Sequence, residues 1–175
     1  MPIHRLLYRS EAALPGSPGD VNRQVAAIIE ASHAANTRVG VTGALLFTSG
    51  VFIQALEGPL AAVEATFERI CGDLRHRRVR LLEFVVAEDR VFGEWAMAEV
   101  TPTRELARLY PTLVSTDTGR LDAVTASTAV QTMRALLLAD VRPGGLPSMT
   151  EGCTKSQSIQ NCPDAAPLTT GAAKR

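Results

Sequence analysis

Two apolar runs, 41–47 (Val41 to Phe47) and 51–57 (Val51 to Glu57), are separated only by Thr48-Ser49-Gly50. No other stretch constrains the fold as strongly. Two strand-like runs joined by a short glycine-containing link form a β-hairpin. Successive strand residues point to opposite faces, so runs that are apolar at nearly every position must be covered on both sides. The chain therefore needs further strands beside this hairpin and cover over each sheet face.

The rest of the chain supplies both. Residues 3–8 (Ile-His-Arg-Leu-Leu-Tyr) suit a buried strand. The stretch Leu14 to Asp20 holds Pro15, Gly16, Pro18 and Gly19 and is expected to be loop, with Asp20 or Asn22 capping the helix that follows. In that helix Val25, Ile28, Ile29, Ser32 and Asn36 recur at three- and four-residue steps and share a face, and the end falls near Asn36 to Arg38. Gly58-Pro59 stops the second hairpin strand and opens another helix, running to about Leu74 with Val63, Phe67, Ile70 and Leu74 inward. Val79 to Val86 is the next strand, Glu88-Asp89 a turn, and Trp95 to Val100 a last short strand.

The order β-α-β-β-α-β-β predicts an α+β, ferredoxin-like sheet with two helices on one face, followed by C-terminal helices. Those helices are expected over 103–110 and 121–139, the second with Leu121, Val124, Met133, Leu136 and Leu137 on one stripe. From Val141 onward Pro, Gly, Ser and Thr dominate, which predicts a disordered tail. The expected organisation is a folded domain over 1–100, a helical extension over 101–140 and a tail over 141–175.

Charge narrows the function classes. The 18 basic residues balance 18 acidic ones, which argues against a nucleic-acid or anionic-membrane partner. No run approaches the roughly 20 apolar residues of a membrane span, and the start, Met1-Pro-Ile-His-Arg, lacks the apolar region of a signal peptide. A soluble cytoplasmic protein is expected. Cys71, Cys153 and Cys162 form no CxxC pair, and no histidine stands at ligand spacing, so neither a metal site nor a disulfide framework is expected. Cys71 reads as a small core residue.

Four polar residues occupy positions where a plain core would be apolar: Tyr8, Ser32, Asn36 and Gln54. An unpaired buried amide costs about 1–3 kcal/mol, so Gln54 must have partners. Any one of the four is explained by mutual or backbone hydrogen bonds. Their convergence between the first helix and the inner strands fits a bound polar heterocycle better. A second cluster, Arg69, Asp73, Arg75 and His76, closes the second helix. Arg69 and Asp73 are four apart and are expected to pair on one helical face, in a cluster that also reads as a solvated helix end.

These residues, in order, resemble the BLUF domains, blue-light sensors using FAD. The resemblance spans roughly residues 3–100 and rests on six motifs. They are Leu7-Tyr8-Arg9-Ser10; Ser32 with Asn36; Gly40-Val-Thr-Gly-Ala-Leu-Leu-Phe47; Gly50-Val-Phe-Ile-Gln-Ala-Leu-Glu-Gly-Pro59; Asp73-Leu-Arg-His76; and Arg90-Val-Phe-Gly-Glu-Trp-Ala-Met97. The resemblance implies a ferredoxin-like fold with FAD held non-covalently between the two helices; the sequence by itself does not separate FAD from FMN. It implies Tyr8 and Gln54 as the photoactive pair and Asn36 as a hydrogen-bond partner of the flavin ring. Ser32, Arg69, Asp73, Arg75 and His76 are implied to line or support the flavin site, and Trp95 and Met97 to lie on a mobile last strand. One departure is Ala35, where many members carry a polar side chain.

A glutamine suits the place between a phenol and a flavin because its amide both donates and accepts. Nothing is consumed in such a cycle, so a switch is expected rather than an enzyme. Trp95 and Met97, two apart on one strand, are expected to share a face and to exchange places near Gln54. Output is expected through a separate protein partner or a homo-oligomer, since the residues after Val100 leave no room for a cyclase or phosphodiesterase. Two alternatives are a flavin-dependent redox enzyme, against which the absence of a GxGxxG fingerprint speaks, and a ferredoxin-like interaction module without cofactor.

Overall fold

The structure, a computed structural model, describes residues 1–101 and 123–140. Strand β1 (Ile3–Ala12) is an interior strand of its sheet, with five consecutive buried residues. The hairpin lies beside it as β2 (Thr42–Thr48) and β3 (Val51–Gly58). β4 (His76–Ala87) and β5 (Ala98–Val100) complete a five-stranded sheet in the order β4-β1-β3-β2-β5. All neighbours are antiparallel except β2 and β5, which run parallel. Every residue of β3 is buried, as a hairpin strand with apolar residues on both faces requires.

The register decides what meets what. Tyr8 stands directly opposite Gln54 across β1 and β3, so the two side chains leave the same face. That face carries Leu6, Tyr8, Leu45, Phe52 and Leu56 and packs on Val25 and Ile28 of helix α1 (Pro18–Val39) and Val63 of helix α2 (Leu60–Cys71). The opposite face carries Leu7, Leu46, Val51, Ile53 and Ala55. It packs on Ala126, Ala129, Val130, Met133 and Leu137 of helix α3 (Ala123–Asp140). The fold is the expected ferredoxin-like α+β arrangement, with α3 covering the face that α1 and α2 leave bare.

Several boundaries differ from expectation for local reasons. α1 starts inside the Pro/Gly stretch, because Pro18 sits in its first turn and Ser17 caps it. Ser17 and Asp20 form a reciprocal capping box, so Asp20 is a first-turn partner of the cap rather than the cap itself. At the far end Gly40 takes the left-handed conformation (φ 68°) and donates its N–H to the Asn36 carbonyl. The hairpin turns through Ser49 and Gly50, both at positive φ (49° and 75°), as a two-residue turn matched to strand twist demands.

α2 ends at Cys71 rather than near Leu74, with Gly72 as its cap, and the chain turns at once into β4, which begins at His76 instead of Val79. Leu74 is consequently 90 % exposed, not inward, and Cys71 is exposed, not a core residue. The last strand is also shorter than expected. Residues 91–97 form turns and bends, with the Trp95 N–H bonded to the Phe92 carbonyl at 3.0 Å. Trp95 and Met97 are therefore not strand neighbours on one face. Met97 is buried with the α1/α2 side, and Trp95 packs against the core on the α3 side.

The helix expected over 121–139 is α3. The helix expected over 103–110 and the tail over 141–175 lie outside the described residues. Among the described residues no helix is long and apolar enough to cross a membrane.

Candidate functional site

α1 and α2 lie on the same sheet face with a cavity of about 410 Å³ between them. That is within the range that takes a small molecule or cofactor. Ile28, Ser32, Ala35 and Asn36 line it from α1; Thr66, Arg69 and Ile70 line it from α2. Gln54 forms part of its floor, and Asp73, Arg75 and His76 close it from the turn after α2 into β4.

Below the floor, the Tyr8 hydroxyl donates to Gln54 Oε1 at 2.5 Å. Tyr8 is fully enclosed, and burial pushes its ionisation far above the ordinary value of 10, with the nearby Asp73 carboxylate acting in the same direction. The phenol therefore keeps its proton, and the amide oxygen accepts its hydrogen bond. Gln54 Nε2 then points to Met97 Sδ at 3.5 Å, a weak acceptor. Both ends of the amide are used, one strongly and one weakly.

Asn36, buried to 1 % exposure, donates through Nδ2 to the Ala96 carbonyl at 2.9 Å. This bond ties α1 to the segment that carries Trp95 and Met97. The other end of the same amide, Oδ1, is buried and takes no hydrogen bond from the described residues. A buried acceptor left open on a cavity wall is a place for a ligand N–H.

His76 is held neutral: burial lowers its pKa from 6.5, outweighing the nearby Asp73 charge, which acts the other way. Its Nδ1 lies 2.8 Å from Ser10 Oγ, and its ring packs on Phe52 at 4.6 Å. Asp73 does not pair with Arg69. The helix stops before Asp73, which instead accepts from Arg75 through the backbone N–H at 2.9 Å and from Nε and Nη2 of the guanidinium. Those hydrogen bonds hold the Asp73 carboxyl below the usual carboxylate range. Arg69 is left facing the cavity from the last turn of α2.

Thus Ser32, Asn36, Gln54, Arg69, Asp73, Arg75 and His76 line one cavity, with Tyr8 bonded to its floor and Met97 touching Gln54. Trp95 does not reach it. Sequence reasoning passed over three residues. Thr66, 3 % exposed, lines the cavity; its signal was a polar residue three positions after Val63 and three before Arg69 on the same helical face. Ser10 is the partner of His76, and no spacing rule could pair them across 66 residues. Glu57 is completely buried, and a carboxylate closing an apolar strand was the available sign.

The model of the BLUF family, sensors of blue-light using FAD, matches residues 3–98. Photoactivated adenylate cyclase subunit alpha of Euglena gracilis is 35% identical over 108 residues, covering 62% of this chain and 10% of that protein. The beta subunit of the same organism is 34% identical over 109 residues, 62% of this chain and 12% of its own length. The chain thus spans only about a tenth of the curated relatives it matches. Among solved structures, the dark state of BlrB, a BLUF protein, superposes with a TM-score of 0.62 at 29% identity, over 80% of this chain and 98% of that one. The photo-activated state of BlsA, 22% identical, shares the fold with a TM-score of 0.65 over 75% and 94% of the two chains. With the family model matched over more than half of its residues, and a cavity between the two helices that cover the matched sheet, this chain belongs to the BLUF family of flavin-binding blue-light sensors.

Proposed function

We propose that this chain is a blue-light photoreceptor that holds FAD non-covalently between α1 and α2 and converts light into a rearranged hydrogen-bond network at Gln54. The observation that carries the reading is the line Tyr8–Gln54–Met97, whose middle member forms the cavity floor beside the open Oδ1 of Asn36. A flavin fits these groups: its pyrimidine-like edge offers one N–H flanked by carbonyls, matching a lone acceptor at Asn36 and a nearby amide at Gln54. Ser32, Arg69, Arg75 and His76 are proposed to hold the rest of it. The family description names FAD. The Klebsiella pneumoniae BlrP1 structure with FMN and cyclic diGMP, 26% identical, makes FMN, which carries the same ring, the second reading.

When bound, the flavin supplies absorption of blue light and, once excited, a strong oxidant for a nearby phenol. Tyr8 is the phenol bonded to the cavity floor, and its hydroxyl donates to Gln54 Oε1 at 2.5 Å. Loss of an electron to the excited flavin would make the Tyr8 phenol strongly acidic, so its proton would pass to Gln54 Oε1. Their return restores Tyr8, while the amide can be left turned about its terminal bond. A turned amide presents oxygen to Met97 Sδ, and a thioether has no proton to donate. The contact that seats Met97 is then lost. The input is about 0.5–1.5 kcal/mol, enough to bias an element whose two arrangements are nearly balanced.

Because electron and proton both return, the cycle consumes no substrate, which supports a sensor rather than an enzyme. Photoactivated adenylate cyclases among the relatives support output to an effector, reached here through a protein partner or a homo-oligomer. Illumination of the FAD-loaded protein tests the reading. Tyr8→Phe should retain flavin and form no light-induced spectral shift; a shift equal to wild type in that variant removes Tyr8 as the donor.

A further inference from the structure

Glu57 is the one carboxylate of β3, and it leaves the sheet on the face opposite Gln54. It is completely buried, and its two oxygens accept from two successive backbone N–H groups, Val91 at 3.0 Å and Phe92 at 2.9 Å. Arg5 stands 3.6 Å away as its countercharge. The Glu57 backbone carbonyl accepts from Arg90 Nη1 at 2.9 Å, and the same guanidinium reaches Thr42 Oγ1 at 2.7 Å and the Gly40 carbonyl at 2.8 Å. Residues 90–92 are thereby fastened to the end of α1, the start of β2 and the end of β3. Bonds from a carboxylate to N–H groups are roughly twice as strong as neutral ones.

Beyond this clamp the chain changes character. From Gly93 to Met97 it makes turns and bends, and it is held at points: Gly43 N–H to the Trp95 carbonyl at 2.9 Å, Asn36 Nδ2 to the Ala96 carbonyl, and Met97 Sδ to Gln54. Then β5 fixes it again from Ala98. A segment of five residues with both ends fastened can rearrange only within itself.

We propose that Glu57, with Arg90, is a positioning residue of the light response. It fixes the near end of the segment 93–97, so that release of Met97 by Gln54 becomes displacement of that segment and of Trp95. This rests on the light-sensing reading above and deepens it. Glu57 does not line the cavity, so it acts on the photocycle through the segment and not through the flavin.

The test uses the FAD-loaded full chain and the Glu57→Gln variant, which keeps one acceptor oxygen and turns the other end into a donor facing an N–H. Flavin content and the size of the light-induced shift should match wild type. Dark recovery should quicken about three- to tenfold, the weight of one net hydrogen bond. The light-induced change in the emission of Trp95, the single tryptophan, should shrink. Arg90→Ala, which removes the clamp from the exposed side, should do the same and decides the matter if Glu57→Gln does not fold. Recovery and emission equal to wild type, or slower recovery, overturn the proposal even if the melting temperature falls, since that is a structural role alone. A wild-type protein without any reversible shift overturns the light-sensing reading, and this inference with it.

Discussion

At the scale of single residues, the candidate site is a set of polar groups on a cavity wall, Asn36 and Gln54 among them buried. Tyr8, Asn36 and Gln54 were legible as candidates because a core should not hold them without cause; the roles proposed for them rest on the family resemblance. Side-chain pairings across the sheet were not legible. Ser10 meets His76 and Glu57 meets Val91 and Phe92 only once β1, β3 and the loop after β4 are aligned. The Arg69–Asp73 pairing failed because it assumed a helix three residues longer than the one that forms. Two outcomes follow at this scale. Asn36→Ala should leave a folded chain that retains much less flavin on purification; undiminished flavin content would show that the open Oδ1 is not its anchor. His76 is kept neutral in the fold, so the unfolded chain takes up its proton first. Its contribution to stability is present above pH 6.5 and is lost as pH falls below that value toward the lowered folded pKa. Melts recorded at about pH 7.5 and about pH 5 should show the loss, reduced in His76→Gln; an equal loss in that variant would assign it elsewhere.

At the scale of elements, apolar periodicity and turn residues located every strand and helix of the sheet domain, and the errors sit at ends. Ser17 was hidden within the Pro/Gly stretch. The last strand was drawn too long because Trp95, Ala96 and Met97 have strand-like composition, whereas tertiary contacts hold them in turns. Two glycines of the hairpin separate backbone freedom from space. At Gly50, φ is 75° and an added Cβ meets nothing within 4 Å, so Gly50→Ala should cost only about 1 kcal/mol. At Gly43 the added Cβ would lie 2.1 Å from the Ala55 carbonyl oxygen of the paired strand. Gly43→Ala should cost about 4 kcal/mol or more, or prevent folding. Urea denaturation of the two variants should rank them in that order; equal costs would contradict the close approach of β2 to β3.

At the scale of the molecule, the sheet separates two compartments. α1 and α2 enclose the cavity on one face, and α3 packs on an apolar cluster on the other, the face on which Glu57 is also buried. The segment between β4 and β5 also contributes to both, sending Met97 to one side and Trp95 to the other. The need to cover both faces was readable from the hairpin; this division of Trp95 and Met97 was not, because it depends on where a strand fails to form. In the reading proposed above, this arrangement would let an event at Gln54 be felt on the α3 side without opening the cavity. The light-minus-dark absorption difference of the FAD-loaded chain, taken beside that of Gln54→Leu, tests this account most directly. The wild type should show a red-shifted flavin band that reverts in darkness, and the variant should bind flavin and show no shift. A flat difference spectrum in the wild type, or the same reversible shift in Gln54→Leu, would contradict it.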